Sequence, residues 1–259
     1  MKFDSYKDRV AIITGGGSGI GAEIARAMAE KGSHIVIFDI HSDEGAKIAE
    51  LLEDQYDIQA FSIEGDVSVE QDVIKMVEET IDKFGRIDIL VNNAGMSAPP
   101  VPTISQDVKD WQRVIDVNLR GSYLCSKLVG QEMVKKRYGK ILMISSIAGT
   151  IGLPQKNSYS SSKAGVNMMT RTLASEWAQY NINVNTIAPG FILTPFFQRG
   201  IENKSFEKDE VIKMTPLGTL GQVEDVADAA IFLCSDAAKF ITGVILPVDG
   251  GLSACGTIT

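Results

Sequence analysis

Short runs rich in valine and isoleucine alternate with amphipathic stretches along most of the chain, and this alternation constrains the fold more than any other feature. Strands that are apolar on both faces need a cover on each side, so the pattern predicts a parallel sheet between two layers of helices. The predicted strands span 9–16, 34–40, 58–66, 86–95, 139–146, 182–189 and about 243–248. The predicted helices span 20–32, 43–54, 70–85, 108–136, 158–180 and about 222–235. We therefore expect a single α/β domain over 1–259, a three-layer doubly wound parallel sheet that binds ligands at the carboxyl ends of its strands.

Charge and cysteine content argue against several classes of function. The net charge of −8 at pH 7 argues against nucleic acid or an anionic membrane surface as a partner, because both require a basic face. No apolar run is long enough to span a bilayer, and residues 1–10 lack the apolar core of a signal peptide. Three scattered cysteines and two histidines form neither a disulfide framework nor a metal motif, so no metal is expected. We expect a soluble, cytoplasmic protein.

The sequence TGGGSGIG at 14–21 joins the first predicted strand to the first predicted helix. A diphosphate needs backbone N–H donors and the positive end of a helix, and side chains would block its approach. Gly15, Gly19 and Gly21 meet these needs, the alternative being a plain glycine turn. Asp39, at the end of the second strand, can accept hydrogen bonds from both hydroxyls of an adenosine ribose and would repel a 2′-phosphate. These residues predict a Rossmann fold that binds NAD rather than NADP, unless Asp39 only caps the next helix.

Several motifs, in order and at consistent spacing, resemble the short-chain dehydrogenase/reductase family over nearly the whole chain. Besides the glycine loop they are GDV at 65–67, NNAG at 92–95, Asn118 in VNL, Ser146 in ISS, Tyr159 and Lys163 in a Y-x-x-x-K pattern, and PGFILT at 189–194. The resemblance implies an oxidoreductase that transfers a hydride between NAD and a secondary alcohol or ketone. It also implies cofactor contacts from Ser18 and Ile20 (diphosphate), Asp66 and Val67 (adenine), Asn93, Ala94 and Gly95 (adenosine ribose side), and Pro189, Gly190, Ile192 and Thr194 (nicotinamide).

Tyr159 and Lys163 are four residues apart in a predicted helix, so their side chains lie on the same face. Hydride transfer at carbon requires a proton to move on the adjacent oxygen, and a free phenol with a pKa of about 10 is a poor base at neutral pH. A nearby ammonium favours the phenolate, so we expect Lys163 to lower the pKa of Tyr159. The resemblance implies that Lys163 also binds the nicotinamide ribose.

Two further polar residues are candidates for the catalytic site. Ser145 and Ser146 end the fifth predicted strand with side chains on opposite faces, so only one of them can serve. Ser146 has the family's spacing to Tyr159 and would donate to the substrate oxygen. Asn118 can be a core asparagine that holds a helix bulge, and the resemblance implies that it binds a water that links Lys163 to solvent; the two roles are compatible.

The substrate is the least determined part of the prediction. Its walls are expected from 96–103, 147–157 and a flap at 191–218 that mixes exposed charge with aromatics. The candidate contacts are Ser97, Gln155, Asn157 and Phe196. The polar groups suit a polyol, a sugar or a related small hydroxylated compound, whereas Phe196 and Phe197 would suit a 3-oxoacyl chain or simply pack the flap.

Two alternatives remain from the sequence: a 3-oxoacyl reductase of the fatty-acid type, and a non-catalytic dinucleotide-binding scaffold on the same fold. The intact set of catalytic candidates argues against the scaffold. The resemblance also implies a homotetramer built partly through the helices at 108–136 and 158–180.

Overall fold

Seven parallel strands form one sheet in this computed structural model, which describes residues 6–202 and 207–255. The strands are β1 (Val10–Thr14), β2 (His34–Asp39), β3 (Ala60–Glu64), β4 (Ile89–Asn92), β5 (Gly139–Ile144), β6 (Ile182–Pro189) and β7 (Ile245–Val248). Their order in the sheet is β3-β2-β1-β4-β5-β6-β7. Each predicted strand is present, although most are shorter than predicted, because residues at their ends, such as Gly15, Gly65 and Ser146, belong to the turns that follow.

Helices connect the strands at nearly the predicted positions. They are α1 (Gly19–Ala29), α2 (Ser42–Gln55), α3 (Glu70–Phe84), α4 (Val108–Ile115), α5 (Ser122–Lys136), α6 (Asn157–Trp177), α7 (Pro195–Glu202), α8 (Lys208–Met214) and α9 (Val223–Cys234). The predicted continuous helix over 108–136 is interrupted, because a π-helical segment, Asp116–Gly121, separates α4 from α5. None of the helices in the described part of the chain is both long and apolar enough to cross a membrane.

Apolar side chains cover both faces of the sheet. In β1, Ile13 belongs to a core cluster that includes Ile24 of α1 and Val226 of α9. Its neighbour Ile12 points the other way, into a cluster that includes residues of α3, α5 and α6. Alternate residues of one strand therefore feed two separate cores, which explains why the strands read as continuous apolar runs. The prediction of a three-layer doubly wound parallel sheet is confirmed.

The strand order changes direction between β1 and β4. The chain first winds outward through β2 and β3, and then returns to place β4 on the other side of β1. The connections after β1 and β4 therefore leave in opposite directions and open a crevice at the carboxyl ends of the strands. Gly15, Asn93 and Ser146 follow β1, β4 and β5, and Pro189 ends β6, so the predicted site residues line this edge.

The segment 191–218, predicted as an irregular flap, is more regular than expected in the parts that the structure describes, 191–202 and 207–218. It contains α7 and α8, and Phe197, Val211 and the neighbouring Leu220 form a small core of their own. Phe197 is buried in this cluster, with its ring 6.0 Å from that of Phe191. Phe197 therefore packs the flap, while the side chain of Phe196 lies outside the described residues.

Candidate active site

The glycine loop packs tightly against the turn that follows β4. Gly15 has a φ of +62°, and a Cβ at this position would lie 2.9 Å from the Cα of Ala94. A Cβ on Gly21 would overlap the carbonyl oxygen of Gly15. Only glycine fits at these two positions, because the main chains approach each other too closely for any side chain.

Thr14, which the sequence analysis did not select, fastens the two turns together. Its hydroxyl oxygen accepts hydrogen bonds from the N–H groups of Asn93 and Ala94, both at 3.0 Å. The side-chain amide of Asn93 donates in return to the carbonyl oxygens of Thr14 (3.0 Å) and Gly15 (2.8 Å). Asn93 thus stabilises the glycine loop. Thr14 could have been predicted as part of this site, because it is the first residue of TGGGSGIG.

The outer side of the loop is open. Gly19 has a φ of +56°, and a Cβ there would meet nothing closer than 3.8 Å, the nearest atoms belonging to Thr194 and Pro195. Ser18 is exposed at the start of α1, and its side chain makes no capping hydrogen bond. A helix N-terminus with space in front of it suits a diphosphate, so the residues present fit a dinucleotide.

Asp39 lies at the edge of the same space. Its carboxylate accepts hydrogen bonds from the N–H of Gly17 (2.9 Å) and the N–H of His41 (3.0 Å). It does not cap α2, because the residue before that helix is His41. Asp39 therefore joins the end of β2 to the glycine loop while remaining partly exposed.

Asp66 and Val67, the predicted adenine contacts, have side chains that mainly contact other residues of the protein. The Asp66 carboxylate binds the hydroxyl of Ser68 (2.7 Å) and the guanidinium of Arg113 (2.7 Å). Partial burial raises the pKa of Asp66, but these hydrogen bonds outweigh it and hold the pKa below its usual range. Val67 is buried against Gly121, so any adenine contact from it comes from its main chain. Arg113 was not predicted from the sequence.

The residues predicted at the nicotinamide follow β6. A Cβ on Gly190 would lie 2.8 Å from the Cα of Asp249, so this turn packs against the turn after β7. Ile192 is buried beside Gly221, which leaves only its main chain for a cofactor contact. The Thr194 hydroxyl accepts a hydrogen bond from the N–H of Phe197 (3.1 Å) at the start of α7.

Tyr159, Lys163 and Ser146 meet where β5 faces the start of α6. Lys163 is 4% exposed, and its ammonium lies 5.7 Å from the centre of the Tyr159 ring and donates to the carbonyl oxygen of Ile144 at 2.8 Å. The Ser146 hydroxyl hydrogen-bonds the Tyr159 hydroxyl and also accepts from the N–H of Ala148 (3.1 Å). Ser145 does not join this group, because its hydroxyl donates to the carbonyl oxygen of Lys163 at 3.1 Å.

The expectation that Lys163 lowers the pKa of Tyr159 is wrong for this structure. Burial of the hydroxyl raises the pKa of Tyr159, and only the hydrogen bond with Ser146 opposes this effect. Burial also lowers the pKa of Lys163, to about 8. The cause is desolvation, which disfavours the charged form of both groups.

Asn118 sits within the π-helical segment and is buried. Its side-chain oxygen accepts from the N–H of Met96 (2.8 Å), and its amide donates to the Met96 carbonyl (2.9 Å) and the Ser162 hydroxyl (3.0 Å). A Cβ on Gly95 would be 3.3 Å from Asn118 Oδ1 and 3.4 Å from Lys163 Nζ. The amide thus holds the turn after β4 against α6, as a satisfied core asparagine in a helix bulge would.

The candidate substrate residues are less well placed. Asn157 is exposed, and its side-chain oxygen accepts from the indole N–H of Trp111 at 2.8 Å, so it joins α6 to α4. Gln155 is exposed in a left-handed conformation with a φ of 63°. Ser97 contacts Lys156 across the cleft, with Nζ 3.4 Å from its hydroxyl oxygen. Lys156 was not selected from the sequence, although it is the one charged residue in 147–157.

No group of three His, Cys, Asp or Glu residues that could hold a metal ion occurs within the described ranges. The cysteines at 125 and 234 are buried, the one at 255 is exposed, and all are free thiols.

The sequence is similar to a family model and to several known proteins. A family model described as enoyl-(acyl carrier protein) reductase matches residues 15–253. The chain is 40% identical to cis-4-hydroxycyclohexanecarboxylate dehydrogenase of Sinomonas cyclohexanicum over 97% of this chain and 99% of that protein. It is 38% identical to a 3-oxoacyl-[acyl-carrier-protein] reductase of Synechocystis, over 94% and 96%. It is 37% identical to an NAD-dependent glycerol dehydrogenase of Listeria innocua, over 94% and 93%.

Proposed function

Because this chain belongs to the short-chain dehydrogenase/reductase family, an oxidoreductase family that binds a nicotinamide dinucleotide, we propose that it transfers a hydride between NAD and a small secondary alcohol or ketone. The observation that carries this proposal is the meeting of Ser146, Tyr159 and Lys163 beside an open glycine loop. The dinucleotide supplies the hydride acceptor or donor. The protein holds the dinucleotide through the glycine loop, Asp39 and the turns after β4 and β6. It also transfers the proton to or from the substrate oxygen.

Tyr159 is the group that exchanges a proton with the substrate oxygen. Its raised pKa keeps the hydroxyl protonated at neutral pH, which is the form that reduction of a ketone requires. Oxidation of an alcohol requires the phenolate, which positive charge on an oxidised nicotinamide would favour. The Ser146 hydroxyl donates to the same substrate oxygen as its charge develops. Lys163 also binds the nicotinamide ribose, and Asn118 holds a water on the path from Lys163 to solvent.

Asp39 supports NAD over NADP. Two main-chain N–H groups fix its carboxylate at the end of β2, at the edge of the space in front of the glycine loop. A 2′-phosphate placed there would be repelled, whereas ribose hydroxyls could donate to it. The relative from Listeria is named as NAD-dependent, which agrees with this choice.

A small hydroxylated compound such as a polyol, a sugar or a hydroxy acid is the proposed substrate. The relatives from Sinomonas and Listeria are named for a hydroxycyclohexanecarboxylate and for glycerol. The second candidate is a 3-oxoacyl reductase, favoured by the relative from Synechocystis. An NADPH-linked activity on 3-oxoacyl thioesters would support that candidate instead.

We further propose one domain over 1–259 that assembles as a homotetramer. Val108, Tyr123 and Met168 are exposed apolar residues on α4, α5 and α6, the helices expected at the subunit contacts. Light scattering tests the assembly, and a monomeric mass would contradict it.

Replacing Tyr159 tests the catalytic proposal. We expect Tyr159→Phe to lower kcat by about 100-fold to 10,000-fold, because the proton donor is lost. Binding of NADH, followed by its fluorescence, should stay within about twofold, because the phenol ring remains. The assay is a panel of polyols, sugars, hydroxy acids and ketones followed at the nicotinamide absorbance band. Most of the activity surviving in this variant would contradict the role of Tyr159, and no turnover with any compound in the wild type would favour the non-catalytic scaffold.

A further inference from the structure

Lys156 lies at the rim of the proposed substrate cleft, directly before the helix that carries Tyr159. Its carbonyl oxygen accepts from the N–H of Ser160 (2.9 Å), so it stands one helical turn before the catalytic residue. Its ammonium reaches across to the opposite wall and donates to the carbonyl oxygen of Ala98 at 2.8 Å. The hydroxyl oxygen of Ser97 lies 3.4 Å from the same nitrogen. Lys156 thus joins the two walls.

The backbone around Lys156 is fixed in an unusual conformation. Gln155 has a φ of 63°, in the left-handed region that a residue with a Cβ adopts at a cost of about 1 kcal/mol. Its carbonyl oxygen accepts from the N–H of Val101 at 3.1 Å, which pairs the same two walls. Such strained residues concentrate at functional sites, where the surrounding structure holds them. Here the strained residue precedes the lysine that crosses the cleft.

The charge of Lys156 has no counterpart nearby. Neither 96–103 nor 147–157 contains any other charged residue. No Asp or Glu in the described ranges forms an ion pair with Lys156. Partial burial alone lowers the pKa of Lys156, as it does for an ammonium that lacks a carboxylate neighbour. In a chain with a net charge of −8, an uncompensated cation at this rim favours an anionic ligand.

We propose that Lys156 binds a carboxylate of the substrate, so that small hydroxy acids and the corresponding oxo acids are preferred over neutral alcohols and ketones. This inference rests on the proposed function, because it names the class of substrate that enters the same cleft. Ala98 and Ser97 hold the ammonium with neutral acceptors, which leaves its charge available to the ligand. An amide or an ester in the same place would gain much less from the lysine.

Two compounds that cannot react separate binding from turnover. Cyclohexanecarboxylate and cyclohexanecarboxamide have similar shapes, lack a hydroxyl group and differ in charge. Each is titrated by calorimetry into the enzyme with and without NADH. We expect the wild type to bind the carboxylate at least about tenfold more tightly, as for a charge-assisted hydrogen bond in a partly buried site. Lys156→Gln and Lys156→Met should bind both compounds equally, whereas Lys156→Arg should keep a preference for the carboxylate.

Lys109→Gln is the matched control, because it removes the same charge from an exposed position on α4. It should bind both compounds as the wild type does. Equal binding of the two compounds by the wild type, no binding of either, or a carboxylate preference that survives in Lys156→Gln would overturn the inference. So would an equal weakening of both compounds in Lys156→Gln and Lys156→Met, because that result assigns the lysine a purely structural role. Failure of the proposed function is distinct, since it is an absence of turnover with every alcohol, neutral or acidic.

Discussion

Lys163→Met should make the protein more stable and inactive. Lys163 is 4% exposed, and burial lowers its pKa from 10.5 to about 8. At about 1.4 kcal/mol per pKa unit, holding this ammonium in the folded state at pH 7 costs about 3 kcal/mol. The substitution also removes the hydrogen bond to the carbonyl oxygen of Ile144, worth about 1 kcal/mol. The net expectation is a gain of about 2 kcal/mol in the free energy of unfolding, or a Tm higher by about 5 °C.

The effect of Lys163→Met on stability should change with pH, whereas an effect of packing alone would not. Between pH 8 and pH 10.5 the folded protein loses the Lys163 proton while the unfolded chain keeps it, so the stability of the wild type rises with pH. The advantage of Lys163→Met should therefore shrink over this range. By about pH 10.5 it should reverse, because only the lost hydrogen bond remains.

Urea unfolding of both proteins at pH 7, 8, 9 and 10 measures this difference. Lys109→Met, which removes an exposed lysine from α4, is the control and should follow the wild type within about 0.5 kcal/mol. A Lys163→Met protein that is less stable than the wild type at pH 7, or a difference that does not change with pH, would refute the reasoning. The same variant should show no measurable turnover.

Two further substitutions test the cofactor site. Gly21→Ala should lower stability by about 2 kcal/mol and weaken NADH binding, because its Cβ would overlap the carbonyl of Gly15, whereas Gly152→Ala, with nothing within 4 Å, should match the wild type. Equal results for these two in urea unfolding and NADH titration would contradict the packing argument. Asp39→Asn should raise the ratio of kcat/KM for NADP over NAD at least about tenfold, because it removes the repulsion of a 2′-phosphate. Asp43→Asn, an exposed change in α2, is its control, and a ratio that stays constant in Asp39→Asn would assign NAD preference to another residue.

The alternation of strands and helices predicted the layers of the fold, because strands covered on both faces have a distinctive composition. It could not give the strand order, which depends on contacts between distant segments. The alternation also predicted one continuous helix through the π-helical segment at 116–121, because the apolar pattern continues smoothly from α4 into α5; only the polar Asn118 within it indicated a helix bulge. The flap was predicted as irregular because 191–218 mixes charges with aromatics, yet Phe197 and Val211 pack together in a small core.

Motif spacing predicted that Ser146, Tyr159 and Lys163 lie together, and in the structure they do, while their catalytic roles stay a prediction. It failed for the pKa of Tyr159, because spacing along a helix carries no information about desolvation. Asn157, predicted to contact the substrate because it is polar and close to Tyr159, accepts a hydrogen bond from Trp111, which the sequence did not indicate. Such side-chain partners lie tens of residues away in the sequence and are visible only in the folded chain.

The extra residue in the π-helical segment sets the rotation of α4 relative to α5. Deleting one residue from Asp116–Gly121 would restore a continuous α-helix, and everything before it would turn by about 100° and move about 1.5 Å along the axis. Arg113 would then swing away from Asp66, and Trp111 from Asn157. Insertions and deletions should thus be tolerated in the surface turns of this protein but not in Asp116–Gly121. One residue more or less there would break contacts at the predicted adenine site and next to the catalytic helix α6 at the same time.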